Sequence, residues 1–167
     1  SQWKATVGAR HPNYASTLNN WAIWHANAGR ADSAEALYRE AVAIDREVLG
    51  RDSPSLGSRL SNLGRLALDQ GRYAAAAEWL DEAVELLARA DGPDLRYAAA
   101  LTNHGQLAFH QGEWDLAEER LRAGRAVFAE LHGDPSLYTA ASDAYLARVS
   151  AARGEAREAE HLFAGAR

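Results

Sequence analysis

The sequence predicts an all-α protein, an α-solenoid of antiparallel helix pairs, and three observations carry that expectation. Four glycines, Gly29, Gly71, Gly112 and Gly154, fall 42, 41 and 42 residues apart, and a second series, Gly8, Gly50, Gly92 and Gly133, is spaced by 42, 42 and 41. Two interleaved series on one period define a unit of two helices and two turns, repeated about 3.5 to 4 times along the chain. The third observation is local. Leu60, Leu63, Ala67 and Leu68 recur at helical spacing before Gly71, and Ala76, Leu80, Ala83 and Leu87 recur after it. Both arms are therefore amphipathic, and each can bury its apolar stripe only against a neighbour.

Further columns share the period. Ala22, Gly64, Gly105 and Ala147 are small where two helices must approach closely, and Ala34, Ala76, Ala117 and Ala159 are small on the facing helix. Large residues return at Tyr38, Leu80, Leu121 and Phe163, and again at Trp24, Leu66, Leu107 and Val149.

These columns, together with the phrases HPNYA at 11–15, LNNWA at 18–22, LSNLG at 60–64 and LTNHG at 101–105, resemble the tetratricopeptide repeat in its 42-residue, kinesin light chain-like form. That form is common also in bacterial proteins. The resemblance covers nearly the whole chain and implies one superhelical array over residues 1–167.

Taken in order, residues 2–8 predict the end of a preceding repeat, closed by Gly8 as a left-handed cap. The first repeat spans 11–50, with Pro12 in the first helical turn, where a missing N–H costs nothing, and a second helix from about residue 32. The second repeat spans 53–92; Ser53 is its expected N-cap and Pro54 shares the column of Pro12. The third, 93–133, is one residue short, and the loop at 91–95 is the expected site of the deletion. Gly124 stands inside its second helix, where glycine costs up to about 1 kcal/mol against alanine, so it marks a close helix contact. The fourth, 134–167, stops within its second helix and leaves Leu162 and Phe163 without a following repeat. Uncovered apolar ends predict a longer native array or self-association through the terminal helices. The absence of methionine agrees with a processed or excised stretch.

Composition excludes several classes. A formal net charge of −5 opposes nucleic-acid binding, which needs a basic patch to displace counterions. Lys4 is the only lysine, and the abundance of arginine and alanine suggests a GC-rich bacterial genome. With no cysteine there is no disulfide, thiolate nucleophile or thiolate metal site. No apolar run approaches the roughly 20 residues of a membrane span, and no charged-then-apolar pattern of the secretory kind is seen in this stretch. The expected location is cytoplasmic.

The resemblance also implies that the first helix of each repeat lines a concave, ligand-facing wall. Asn20, Asn62 and Asn103 occupy one column of that wall, and Tyr145 replaces the asparagine in the fourth repeat. A carboxamide offers donors and an acceptor, so a row of them can hold the N–H and C=O groups of an extended peptide without demanding particular side chains. Asn19, Asn27, Gln106 and Phe109 are expected beside the row. Arg65 and Arg148 are candidate anchors for a ligand carboxylate, with Asp69 an alternative, internal partner for Arg65. The opposing structural reading is that the asparagines satisfy groups of the solenoid itself.

Catalysis and metal binding are not expected. His104 and His110 are six residues apart, so they point to different helix faces. His104 shares a column with Trp21, Leu63 and Leu146, which makes it a packing residue. Trp21, Trp24, Trp79 and Trp114 likewise fall in packing columns. No H-E-x-x-H, phosphate-binding loop or nucleophile elbow occurs, and no cofactor is implied. The sequence therefore points to a non-catalytic module that binds a protein or peptide segment. The alternatives are a homo-oligomerisation scaffold and a regulatory sensor segment of a larger bacterial ATPase or protease.

Overall fold

The computed structural model describes residues 11–89 and 94–155. Among them are seven helices and no strand. The chain divides into two compact units, Ser1–Leu87 and Ala88–Arg167. The first holds α1 (Pro12–Asn27), α2 (Ala31–Val48), α3 (Pro54–Asp69) and α4 (Tyr73–Leu87); the second holds α5 (Leu95–Gln111), α6 (Trp114–His132) and α7 (Leu137–Ala152). None of the described helices is long and apolar enough to cross a membrane.

The helix ends follow from local chemistry. Pro12 and Pro54 lie in the first turns of α1 and α3. At α1 the cap is His11, whose Nδ1 accepts from the backbone N–H of Asn13 at 3.0 Å. Ser53 occupies the N-cap of α3 with extended backbone, but its side chain makes no capping bond. Gly112 ends α5 at φ 80°, a left-handed conformation that an L side chain adopts only with strain. Gly29, Gly71 and Gly154 take the same sign of φ at the other expected turns. Expectations for Gly8, the end of a preceding repeat, residues 91–93 of the shortened loop at 91–95, Leu162 and Phe163 lie outside the described residues.

In the first unit, Ala22 of α1, Ala34 and Tyr38 of α2, and Leu63 and Leu66 of α3 form one buried cluster. A second cluster, Tyr14, Ala15, Leu18, Ala41 and Ile44, closes the other end of the α1/α2 pair. In the second unit Ala117 and Leu121 of α6 and Leu146 and Val149 of α7 repeat four columns of the first of these clusters, joined by Ala108 of α5, which stands three residues beyond the column of Ala22. The small residues are required by proximity. A Cβ on Gly105 would lie 2.7 Å from Leu121 Cγ, and one on Gly124 would lie 2.9 Å from the Ala98 carbonyl oxygen.

Polar links also bind neighbouring repeats. Arg72, at the α3/α4 turn, pairs with Glu35 of α2 at 2.6 Å. Arg153, after α7, pairs with Glu118 of α6, and Glu118 shares the column of Glu35. More deeply placed, Arg59 of α3 lies 2.7 Å from Asp45 of α2, with both side chains buried.

Two packing expectations fail. Trp21 and Trp24 are 52% and 60% exposed, although their column mates Leu63, Leu66, Leu146 and Val149 are buried. The column mates are covered by the second helix of the repeat before them, and no such helix lies against α1 among the described residues. Trp79 and Trp114 do pack, as half-buried neighbours of the two repeated clusters.

Candidate functional site

In the first unit, the facing polar residues of α1 and α3 interlock. Asn62 Nδ2 donates to Asn19 Oδ1 at 3.0 Å, so the carboxamides pair across adjacent columns rather than within one. One turn towards the N-terminus, Arg59 Nη2 donates to Ser16 Oγ at 3.0 Å and Nη1 to the Ser55 carbonyl at 3.1 Å. Burial lowers the pKa of Arg59 and raises that of Asp45, while the attraction of each charge for the other offsets part of both shifts.

Beyond the Asn19–Asn62 bond the helices leave a cavity of about 320 Å³, lined by Ile23, Ala26, Asn27, Tyr38, Asn62, Arg65, Leu66 and Asp69. Of its lining, Tyr38 and Leu66 are buried, while Ile23, Asn27, Arg65 and Asp69 are exposed. Asn62 spends one N–H on Asn19 and keeps a second N–H and Oδ1 for another partner. Asn27 and Asn20 are exposed. Arg65 Nε is held by Asp69 Oδ1 at 2.8 Å, the internal partner anticipated from the sequence. Burial pushes the Tyr38 phenol up to about 12, so it stays neutral at ordinary pH.

The second unit presents a different surface. Thr102 and Ser142 share a buried hydrogen bond at 3.1 Å between α5 and α7. Gln106 is only 3% exposed, which takes it out of solvent contact. Asn103 is half-buried. One turn further on, Phe109 meets Tyr145 edge to face at 5.7 Å and Trp114 at 5.3 Å. Across these rings lies Arg148, its guanidinium 4.4 Å from the Phe109 centroid and 4.6 Å from that of Tyr145. Burial, and then the positive charge of Arg148, lower the pKa of neighbouring His110. Arg148 pairs with no carboxylate among the described residues.

The structure thus gathers Asn27, Asn62 and Arg65 around one cavity, with Asn19 bonded to Asn62 and Asn20 exposed on α1, and Phe109, Tyr145 and Arg148 in one aromatic and cationic cluster. Sequence reasoning missed Arg59 and Asp45. Neither recurs in its column, so a search for periodic features carries no signal for them. Among the described residues no three histidine, aspartate or glutamate side chains are grouped to hold a metal ion.

Residues 13–89 match the family model of the tetratricopeptide repeat. That stretch of the chain carries tetratricopeptide repeats. Its fold is similar to that of BtubC (BKLC) from P. vanneervenii, with a TM-score of 0.80 at 23% identity over 93% of this chain and 63% of that one. It is similar also to two Podosopora anserina structures of nearly identical TPR-like repeats, assigned to a kinesin light chain, with TM-scores of 0.76 and 0.73. Each is 23% identical and covers 98% of this chain and 78% of that one. This chain therefore spans about 63% of the length of BtubC. No curated protein matches the sequence. Tetratricopeptide repeats are protein–protein interaction modules.

Proposed function

We propose that this chain is a non-catalytic receptor for an extended protein segment, held by the carboxamides of the first helices. The observation that carries this reading is the cavity between α1 and α3, which Asn62 and Asn27 line together with Ile23, Tyr38 and Leu66. Asn62 is fixed by Asn19 through one N–H and has the remaining N–H and oxygen to offer. A peptide backbone supplies the complementary C=O and N–H at regular intervals, and its side chains would reach Ile23 and Leu66. Because packed helices already hold the carboxamides in place, little receptor ordering is needed on binding.

Asn103, Tyr145 and Arg148 extend the same reading to the second unit, where a ligand carboxylate would meet the ring-stacked guanidinium. Selection from a library of random extended peptides, followed by anisotropy titration of the selected sequence, tests the proposal. Asn62→Ala is expected to weaken binding about tenfold, the loss of roughly one to two hydrogen bonds, with the melting temperature nearly unchanged. Unaltered affinity, or a fall in stability large enough to account for the weaker binding, would overturn it.

A further inference from the structure

We propose that copies of this chain associate head to tail, the exposed Trp21/Trp24 face of α1 receiving residues 156–167 of a second copy. The surface is distinct from the α1/α3 cavity, so the two proposals stand or fall separately.

Register identifies what the face is built to receive. In the first unit, the α3 residues in the columns of Trp21 and Trp24 are Leu63 and Leu66, buried against Ala34 and Tyr38 of the preceding second helix. In the second unit, the equivalent α7 residues are Leu146 and Val149, buried against Ala117 and Leu121. Twice, therefore, this pair of columns is covered by a helix carrying alanine and, four residues on, a large residue. At α1 the same pair is two exposed tryptophans beside a hollow of about 580 Å³. The sequence carries the complementary pair once more, as Ala159 and Phe163, in the columns of Ala34/Tyr38 and Ala117/Leu121.

Charge agrees with this assignment. Arg72, immediately after Gly71, reaches back 2.6 Å to Glu35 of the preceding second helix. Arg30 follows Gly29 in the same way; it lies over the Trp24 ring at 4.1 Å and pairs with no carboxylate among the described residues. The column of Glu35 is occupied in the last repeat by Glu160. One docking mode thus supplies an apolar partner for Trp24 and a carboxylate for Arg30. It uses different surfaces on the two copies, so it adds copies head to tail, as chains or rings, rather than closing as a two-fold dimer.

Sedimentation of the chain over a concentration series tests the proposal, with tryptophan emission recorded alongside. The expected result is growth in mass with concentration and a blue shift as Trp21 and Trp24 leave water. Trp24→Glu and Phe163→Glu should each abolish growth alone, while an equimolar mixture should form a one-to-one dimer, because one variant keeps the tail and the other keeps the face. Should either variant fail to fold, Arg30→Glu and Glu160→Arg replace them. Each should weaken association alone, and their mixture should regain it through the swapped pair. A monomer at every concentration, association that survives these substitutions, or mixtures that fail to assemble would overturn the proposal.

Discussion

A Cβ on Gly64 would lie 2.6 Å from Leu80 Cγ, closer than non-bonded carbon atoms approach. The absence of a side chain at Gly64 is what lets α3 and α4 pack with Leu80 fully buried between them. Gly64→Ala gains helix propensity of up to about 1 kcal/mol but forces an overpacking cost of about 1–3 kcal/mol. Urea denaturation should show net destabilisation. Gly124→Ala is expected to cost more, since its obstacles include the Ala98 carbonyl at 2.9 Å and the Thr102 hydroxyl at 2.7 Å. Backbone yields less readily than a leucine tip.

The buried pair of Asp45 and Arg59 makes an asymmetric prediction. Removing one partner leaves an uncompensated charge, so Asp45→Ala should cost about 3–5 kcal/mol, whereas Asp45→Leu combined with Arg59→Met should cost far less. A double-mutant cycle in urea measures the difference. Equal losses would mean that Arg59 is satisfied by Ser16 and Ser55 alone.

Acid sensitivity should reside partly in Glu118, whose carboxyl is held below its ordinary value by hydrogen bonds from Arg122 and then Arg153. A depressed folded-state pKa contributes stability that is present above the ordinary carboxylate range and lost as pH falls through the folded value. Glu118→Gln should therefore flatten the acid limb of a stability profile measured by thermal melting. Asp45 acts with the opposite sign: burial raises its pKa, so its contribution is lost as pH rises through the folded value.

Arg148 and Arg65 should differ as ligand anchors. Arg65 is already partnered by Asp69, and a ligand carboxylate would have to compete with that aspartate. Arg148 lies against the Phe109 and Tyr145 rings and has no carboxylate partner among the described residues. For a selected peptide bearing a carboxylate, Arg148→Ala should weaken binding by about 1.5–3 kcal/mol, the range of charge-assisted hydrogen bonds, and Arg65→Ala by less. Anisotropy titrations of the two variants check the order.

Features set by the repeat were legible in the sequence. Gly64 and Gly105 stood in a column opposite Leu80 and Leu121, and the contacts between them followed. Gly124 announced a tight crossing because an interior helix glycine needs a steric reason. What the sequence did not reveal either breaks the period or depends on context. Asp45 and Arg59 occur once each, so no column marks them. Gln106 holds a groove position by column, yet it is buried. Trp21 and Trp24 sit in buried columns but are exposed, because burial of a first helix in this fold depends on the second helix before it.

The role of the carboxamides is tested most directly by a nitrogen-15 NMR titration of the folded protein with a library-selected peptide, following the side-chain amide signals of asparagine. Binding through the first helices predicts saturable, concerted shifts of Asn20, Asn62 and Asn103. Shifts confined to the Trp21/Trp24 face, or tight binding that leaves those three side-chain amides unmoved, would contradict it.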